Sequence, residues 1–147
     1  MLYGVEAHAT ADHGDHHGHE HGSVEAGLSN AMVYSVAEGH LGYGLHVHGI
    51  YTFGESPFAL GLGYEMVAGE HLHQTIGPMF CYRPTDPLNL CVAPGVTFEE
   101  HKTMFTGHLE VTYEFESHGL HLGPTAGFAY NEEDMHLSLG LHTGTEF

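Results

Sequence analysis

The sequence predicts an all-β fold, an eight-stranded antiparallel up-and-down transmembrane β-barrel preceded by a disordered, histidine-rich N-terminal tail. Three observations carry that prediction. From about residue 27 onward, apolar side chains fall on every second position in segment after segment, which is the period of a pleated strand. The positions between them hold mostly Gly, Ala, Thr and His, whereas a soluble surface is about a quarter to a third charged. No apolar run reaches the roughly eighteen residues of a membrane helix, so a chain of this pattern crosses a bilayer only as a closed barrel.

A length of 147 residues with 41% apolar content suits one domain. The charge balance is unusual. Nineteen Asp and Glu face one Arg (Arg83) and one Lys (Lys102), a formal charge of -17 with the seventeen His neutral. Such a chain excludes nucleic acid as a partner and attracts divalent cations.

Residues 1 to 26 form the tail, and residues 27 to 147 the barrel. The tail segment HATADHGDHHGHEHG has almost nothing apolar to pack, and its interleaved acids and imidazoles suit a metal-gathering tract, with His13, His16, His17, His19 and His21 as candidate ligands; a solvated spacer is the alternative. Ala7-His8-Ala9 has the small-x-small form of an export cleavage site. The first strand is expected near Leu28 to Ala37, with Met32, Tyr34 and Val36 on its apolar face. The second and third form the hairpin Leu41 to Tyr64. There Leu41, Tyr43, Leu45, Val47, Tyr51 and Phe53 alternate with Gly42, Gly44, His46, His48 and Thr52, and Gly54-Glu55-Ser56-Pro57 supplies the turn. The fourth runs from Leu72 to Arg83 and the fifth from Leu88 to Phe98. Met104 to Glu116 is the sixth, Leu120 to Tyr130 the seventh, and the last closes on Phe147. Pro78, Pro94 and Pro124 sit inside strands, each beside a Gly, where bulges or bends are expected.

The apolar parity could line a ligand cavity, as in a soluble lipocalin-like binder of small molecules, or face lipid. The small and polar opposite parity suits the lumen of an eight-stranded barrel, which is just wide enough for side chains to fill. The aromatics agree with the lipid-facing arrangement. Tyr51, Phe53, Phe58, Phe80, Tyr82, Tyr113, Phe115 and Phe147 fall near one set of strand ends, and Tyr43, Phe98, Phe105, Phe128 and Tyr130 near the other, as two girdles bounding a band of Leu and Val.

With its alternating strands, short turns and a final strand MHLSLGLHTGTEF ending in an aromatic residue, the chain resembles the small outer-membrane β-barrels of Gram-negative bacteria. More narrowly, YEMVAGEHLHQTIG, YRPTDPL, HLEVTYEFE and HLGPTAGFAY resemble a histidine-rich group of such barrels with no assigned function. The resemblance implies an outer-membrane location, membrane lipid and the outer-membrane assembly machinery as partners, and a periplasmic tail. The chain departs from such barrels in having no Trp in its girdles and in its short loops, and the short loops argue against an adhesin or receptor.

Eleven histidines lie outside the tail, and His46, His48, His73, His108, His121, His136 and His142 share the inward parity with Glu65, Glu110, Glu114, Glu146 and Arg83. His46, His48, Glu65, His108, Glu110 and His142 fall near mid-strand, and His73 and His136 complete the candidate lumenal ligands. Two functions fit: a hydrogen-bonded polar plug in a structural or interaction barrel, or a site for Zn²⁺, Cu²⁺ or Ni²⁺, which take three or four imidazole or carboxylate ligands. Glu38, His40, Glu70, His71, Glu99, Glu100, His101, Glu132, Glu133 and Asp134 gather at the end opposite the tail, as a solvated rim or as a funnel for cations. Ser117 and Ser138 lie in no recognisable nucleophile motif, so no enzymatic activity is expected.

Cys81 and Cys91 are expected to be bridged. With Thr85-Asp86-Pro87 as a three-residue connection, Cys81 falls opposite Cys91 on the inward parity, within reach of a disulfide, and an exported chain meets an oxidising compartment. The alternative keeps both thiols reduced as soft ligands beside the lumenal histidines.

Overall fold

The computed structural model describes residues 22–147, so His13, His16, His17, His19 and His21 lie outside the described residues. The strands are β1 Ser23–Ser35, β2 His40–Thr52, β3 Phe58–Ala68, β4 Leu72–Thr85, β5 Leu88–Glu99, β6 Lys102–Tyr113, β7 Phe115–Ser117, β8 Leu120–Tyr130 and β9 Met135–Glu146. Each pairs antiparallel with its neighbour, and β1 pairs with β9, which closes the sheet. β6 and β7 are one barrel strand, since both pair with β8 in a single register, from Gly107 opposite Tyr130 to Phe115 opposite Leu122. The barrel therefore has eight strands. Pairing lapses between them at Tyr113 and Glu114, opposite Pro124, which has no N–H to offer.

Three local expectations are corrected. β1 begins at Ser23, several residues before the expected boundary at residue 27, and brings Glu25 into the barrel. Pro78 and Pro94 do not shift the register: pairing is in step at Ile76 with Val96 and again at Phe80 with Val92. The strands there come very close, and a Cβ on Gly77 would lie 2.2 Å from the Pro94 carbonyl oxygen, which is why the proline stretch carries glycine. The β4–β5 turn has two central residues, Asp86 and Pro87, between paired Thr85 and Leu88. A bulge between Tyr82 and Thr85 absorbs the difference and keeps Cys81 opposite Cys91. The two cysteines are disulfide-bonded. They pack inside the barrel with Ile50, Ala59 and Met79, a small apolar cluster in a largely polar interior that also buries Val33, Val67 and Ala129.

The alternation resolves the question of faces. Leu41, Leu62, Phe105, Leu139 and Leu141 are each more than half exposed, while the residues that flank them are buried or half-buried. The apolar parity points out, so the soluble lipocalin-like arrangement does not fit. Ring pairs Tyr51–Phe53, Phe58–Tyr82 and Tyr113–Phe115, with centroids 5.1 to 5.2 Å apart, stand on the outer face near the rim that carries both chain ends.

The four connections at the other rim are tied by polar contacts. Asp134 accepts from Ser35 Oγ and from the backbone N–H of Ala37 (2.8 Å) and Met135 (2.7 Å), while Asn131 Oδ1 accepts from the N–H of Glu133 and Asp134. Lys102 bridges two connections through Glu133 at 2.7 Å. Burial alone would raise the Asp134 pKa, but these donors hold the carboxyl below its ordinary value.

Two outcomes follow from this architecture. Leu62→Arg, near the middle of β3 on the lipid face, costs about 2 to 4 kcal/mol in lipid-reconstituted unfolding, whereas Thr125→Ser, which keeps the hydroxyl that meets Thr112 in the lumen, is mild. Equal effects would refute the assignment of faces. Asp134→Asn destabilises the barrel by about 1 to 3 kcal/mol at neutral pH. Because the folded pKa is depressed, the carboxylate's contribution is present above its unfolded value and lost as pH falls through the folded one. The gap between variant and parent melting curves should therefore close in acid.

Candidate functional site

The inward parity of β1, β2 and β9 places Glu25, Ser29, His48 and His142 on adjoining strands, with Gly27 between Glu25 and Ser29. Glu25, His48 and His142 have side chains only 2%, 4% and 1% exposed. Glu25 Oε1 lies 3.7 Å from His48 Nε2 and 3.6 Å from His142 Nε2. None of these three atoms has a hydrogen-bond partner among the described residues. The two imidazoles are stacked, with centroids 5.2 Å apart and planes 3° from parallel.

The surrounding groups aim this set. Arg83 donates to the other oxygen of Glu25, which turns Oε1 toward the imidazoles. Ser29 Oγ is hydrogen-bonded to His142 Nδ1 at 3.1 Å, so the ring presents Nε2 to the carboxylate. Gly27 leaves the room: a Cβ there would stand 2.2 Å from His48 Nε2 and 2.6 Å from His142 Cε1. Toward the rim that carries the chain ends, Arg83 reaches Glu114 at 3.8 Å, Asn89 donates to Glu114 at 3.2 Å, and His121 stands between Glu114 and Glu146 at 3.6 and 3.5 Å.

On the other side of His48 lies a second set. His46 Nδ1 donates to Glu110 Oε2 at 3.1 Å, with side chains 8% and 10% exposed, and the His46 and His48 rings are 5.2 Å apart. His108 is 5.8 Å from His46, ring to ring, and its Nδ1 is 3.5 Å from Glu65 Oε2. A cavity of about 20 Å³ beside His46, Glu65 and His108 has room for about one water. Two groups could therefore hold a metal ion, each with its donor atoms within 4.8 Å of one another: Glu25, His48 and His142; and His46, His48 and Glu110.

The sequence-predicted residues divide accordingly. His46, His48, Glu110 and His142 fall within these two groups, and Glu65 and His108 adjoin them. His73 and His136 do not join them. They meet each other near the acidic rim at 5.4 Å, where His73 faces Glu99 at 3.6 Å and His136 faces Asp134 at 2.8 Å. Cys81 and Cys91 are bonded to one another and offer no thiol. Glu25 and Ser29 were not anticipated, because β1 was placed too late. The alternation of Glu25, Gly27 and Ser29 with Val24, Ala26 and Leu28 was the available signal.

A closed eight-stranded antiparallel barrel with an apolar outer belt and an interior of imidazoles and carboxylates defines a transmembrane β-barrel of the outer-membrane type. Solved structures agree on the fold. Neisserial surface protein A superposes with a TM-score of 0.63 at 11% identity, over 86% of this chain and 97% of that one. Ail, the attachment invasion locus protein of Yersinia pestis, gives 0.57 at 11% identity over 86% and 97%. The N-terminal barrel domain of Pseudomonas aeruginosa OprF gives 0.51 at 16% identity over 85% and 97%. No family model and no curated protein matches the chain.

Arg83 is the test of what holds Glu25 in place. Arg83→Gln leaves Glu25 and Glu114 buried without their guanidinium and should lower the unfolding free energy by about 3 to 5 kcal/mol in urea titrations of the reconstituted barrel. A loss under about 1 kcal/mol, within the range of a surface pair, would show that the ion pair does not secure the carboxylate.

Proposed function

We propose that this barrel binds divalent transition-metal ions in its lumen, at Glu25, His48 and His142. The observation that supports this is the convergence of three buried, unpartnered donor atoms. Their separations of 3.6 and 3.7 Å exceed a hydrogen bond. They are close to the spacing of about 3.4 Å between neighbouring ligands of a tetrahedral ion with bonds of about 2.0 to 2.1 Å. Imidazole and carboxylate donors suit Zn²⁺, Cu²⁺ and Ni²⁺. Ser29 and Arg83 act as the outer partners that fix ligand orientation.

Charge supports the same function. Below the acidic rim the lumen carries Glu25, Glu65, Glu110, Glu114 and Glu146 against Arg83 alone, so the interior needs further positive charge from protonated imidazole or from bound cations. In this proposal the N-terminal histidines and the acidic rim concentrate cations, and the lumenal set retains them. The barrel lies in the outer membrane with its tail in the periplasm. The Yersinia pestis Ail barrel is known in complex with the heparin analogue sucrose octasulfate. A rim bearing Glu38, Glu70, Glu99, Glu100, Glu132 and Glu133 would repel such an anion, which favours cations here.

Elemental analysis of the detergent-solubilised protein, purified without a metal-affinity column and then equilibrated with Zn²⁺, tests the proposal. The tail histidines are replaced by serine so that only the barrel is counted. Metal is expected to be retained through dialysis, and His142→Ala combined with Glu25→Gln should abolish retention at this set. Retention unchanged in that variant, or no retention in the parent, would overturn the assignment.

A further inference from the structure

His48 belongs to both ligand groups, and this is the feature that the single-ion site leaves unused. Its side chain is 4% exposed, yet neither of its ring nitrogens has a hydrogen-bond partner among the described residues. A buried polar atom without a partner is costly, and two on one ring are rarer still. Nε2 faces Glu25 Oε1 at 3.7 Å. An ion on the other side, at His46 and Glu110, would take the second ring nitrogen, Nδ1, which has no hydrogen-bond partner among the described residues either. The two nitrogens of an imidazole point in divergent directions, so they cannot serve one ion but can serve two.

We infer that the lumen holds a dinuclear metal centre in which the His48 ring bridges two divalent ions, one on Glu25 and His142, the other on His46 and Glu110. This rests on the proposed function and adds the second ion and the bridge. His46 Nδ1 and Glu110 Oε2, 3.1 Å apart, are spaced as neighbouring ligands of one ion once the proton between them is released. Each ion meets one carboxylate, so neither group depends on the other for charge. The lumenal carboxylates exceed Arg83 by four negative charges and a bridging imidazolate adds a fifth, so two dications offset all but one of them, which a protonated imidazole such as His121 can meet. Bridging removes the remaining N–H proton of His48. That proton passes to solvent and leaves His48 an anionic imidazolate, while the proton on His46 Nδ1 moves to Nε2 of the same ring, so His46 stays neutral and no redox step is needed. Gly27 and Gly63 leave space beside the two groups: a Cβ on Gly63 would stand 2.7 Å from His46 Nε2, as one on Gly27 would crowd His48.

The experiment is a Cu²⁺ titration of the full chain in detergent, with His8, His13, His16, His17, His19 and His21 changed to Ser, followed by electron paramagnetic resonance. Two tightly held equivalents are expected. The signal should rise to the first equivalent and fall by more than half at the second, because copper spins coupled through one imidazolate cancel. In His46→Ala combined with Glu110→Ala the tight stoichiometry should drop from two to one, with the signal of the first retained. Two equivalents whose signals simply add would overturn the bridge. One tight equivalent in the parent would overturn the second ion while leaving the proposed function standing, and none would overturn both. The titration of the parent needs no variant to fold.

Discussion

An eight-stranded barrel encloses a space only as wide as its own side chains, and here that space is filled largely with ionisable and hydrogen-bonding groups. Everything else in the structure answers to this constraint. With a cavity of about 20 Å³ beside the central histidines, the lumen lacks the bulk water that would dissipate a net charge, so each carboxylate must find its counter-charge among its neighbours. Arg83 meets two of them, and imidazoles face the rest. Among the described residues the arrangement leaves several buried polar atoms without a hydrogen bond, Arg83 Nε and His121 Nε2 among them, but only at His48, His142 and Glu25 do such atoms converge: both nitrogens of His48, one of His142 and a Glu25 oxygen between them.

The two ends of the barrel differ in kind. The end bearing the termini is ringed outside by aromatic pairs, edge-on or stacked, and filled inside by Arg83 with its carboxylates, next to the Cys81–Cys91 cluster. The opposite end is acidic, with short connections knitted by Asp134, Asn131 and the Lys102–Glu133 pair. A field of this shape is attractive to cations at one mouth and backed by a guanidinium at the other.

Much of the fold was readable from parity. Because a strand exposes alternate residues to opposite faces, assigning one clear hairpin assigned every later strand, and the girdles followed from where the aromatics fell along each segment. β1 was harder, since Ala26 and Asn30 occupy lipid-facing positions and blur the contrast with Glu25 and Ser29. The site was less readable than the fold. Parity says that His46, His73 and His136 all point inward, but height inside a barrel depends on the stagger accumulated around the closed sheet, which no single strand records. His46 thus meets Glu110, 64 residues away, while His73 and His136 end beside the acidic turns. The cysteine pairing survived an error in the turn, because the shorter turn and the bulge offset one another.

The central cluster straddles the place where the chain's beginning meets its end. Glu25 and Ser29 come from β1 and His142 from β9, and the contact between these strands is the one that closes the cylinder, with Ser29 paired to His142 and Glu25 to Glu146. The cluster is therefore absent from any sheet in which β1 and β9 have not yet paired. Whatever occupies it, whether protons shared among imidazoles or a bound ion, binds the closed form alone and adds its binding free energy to the seam. In a barrel this small, the interior chemistry doubles as the latch, and opening the first strand from the last means dismantling it.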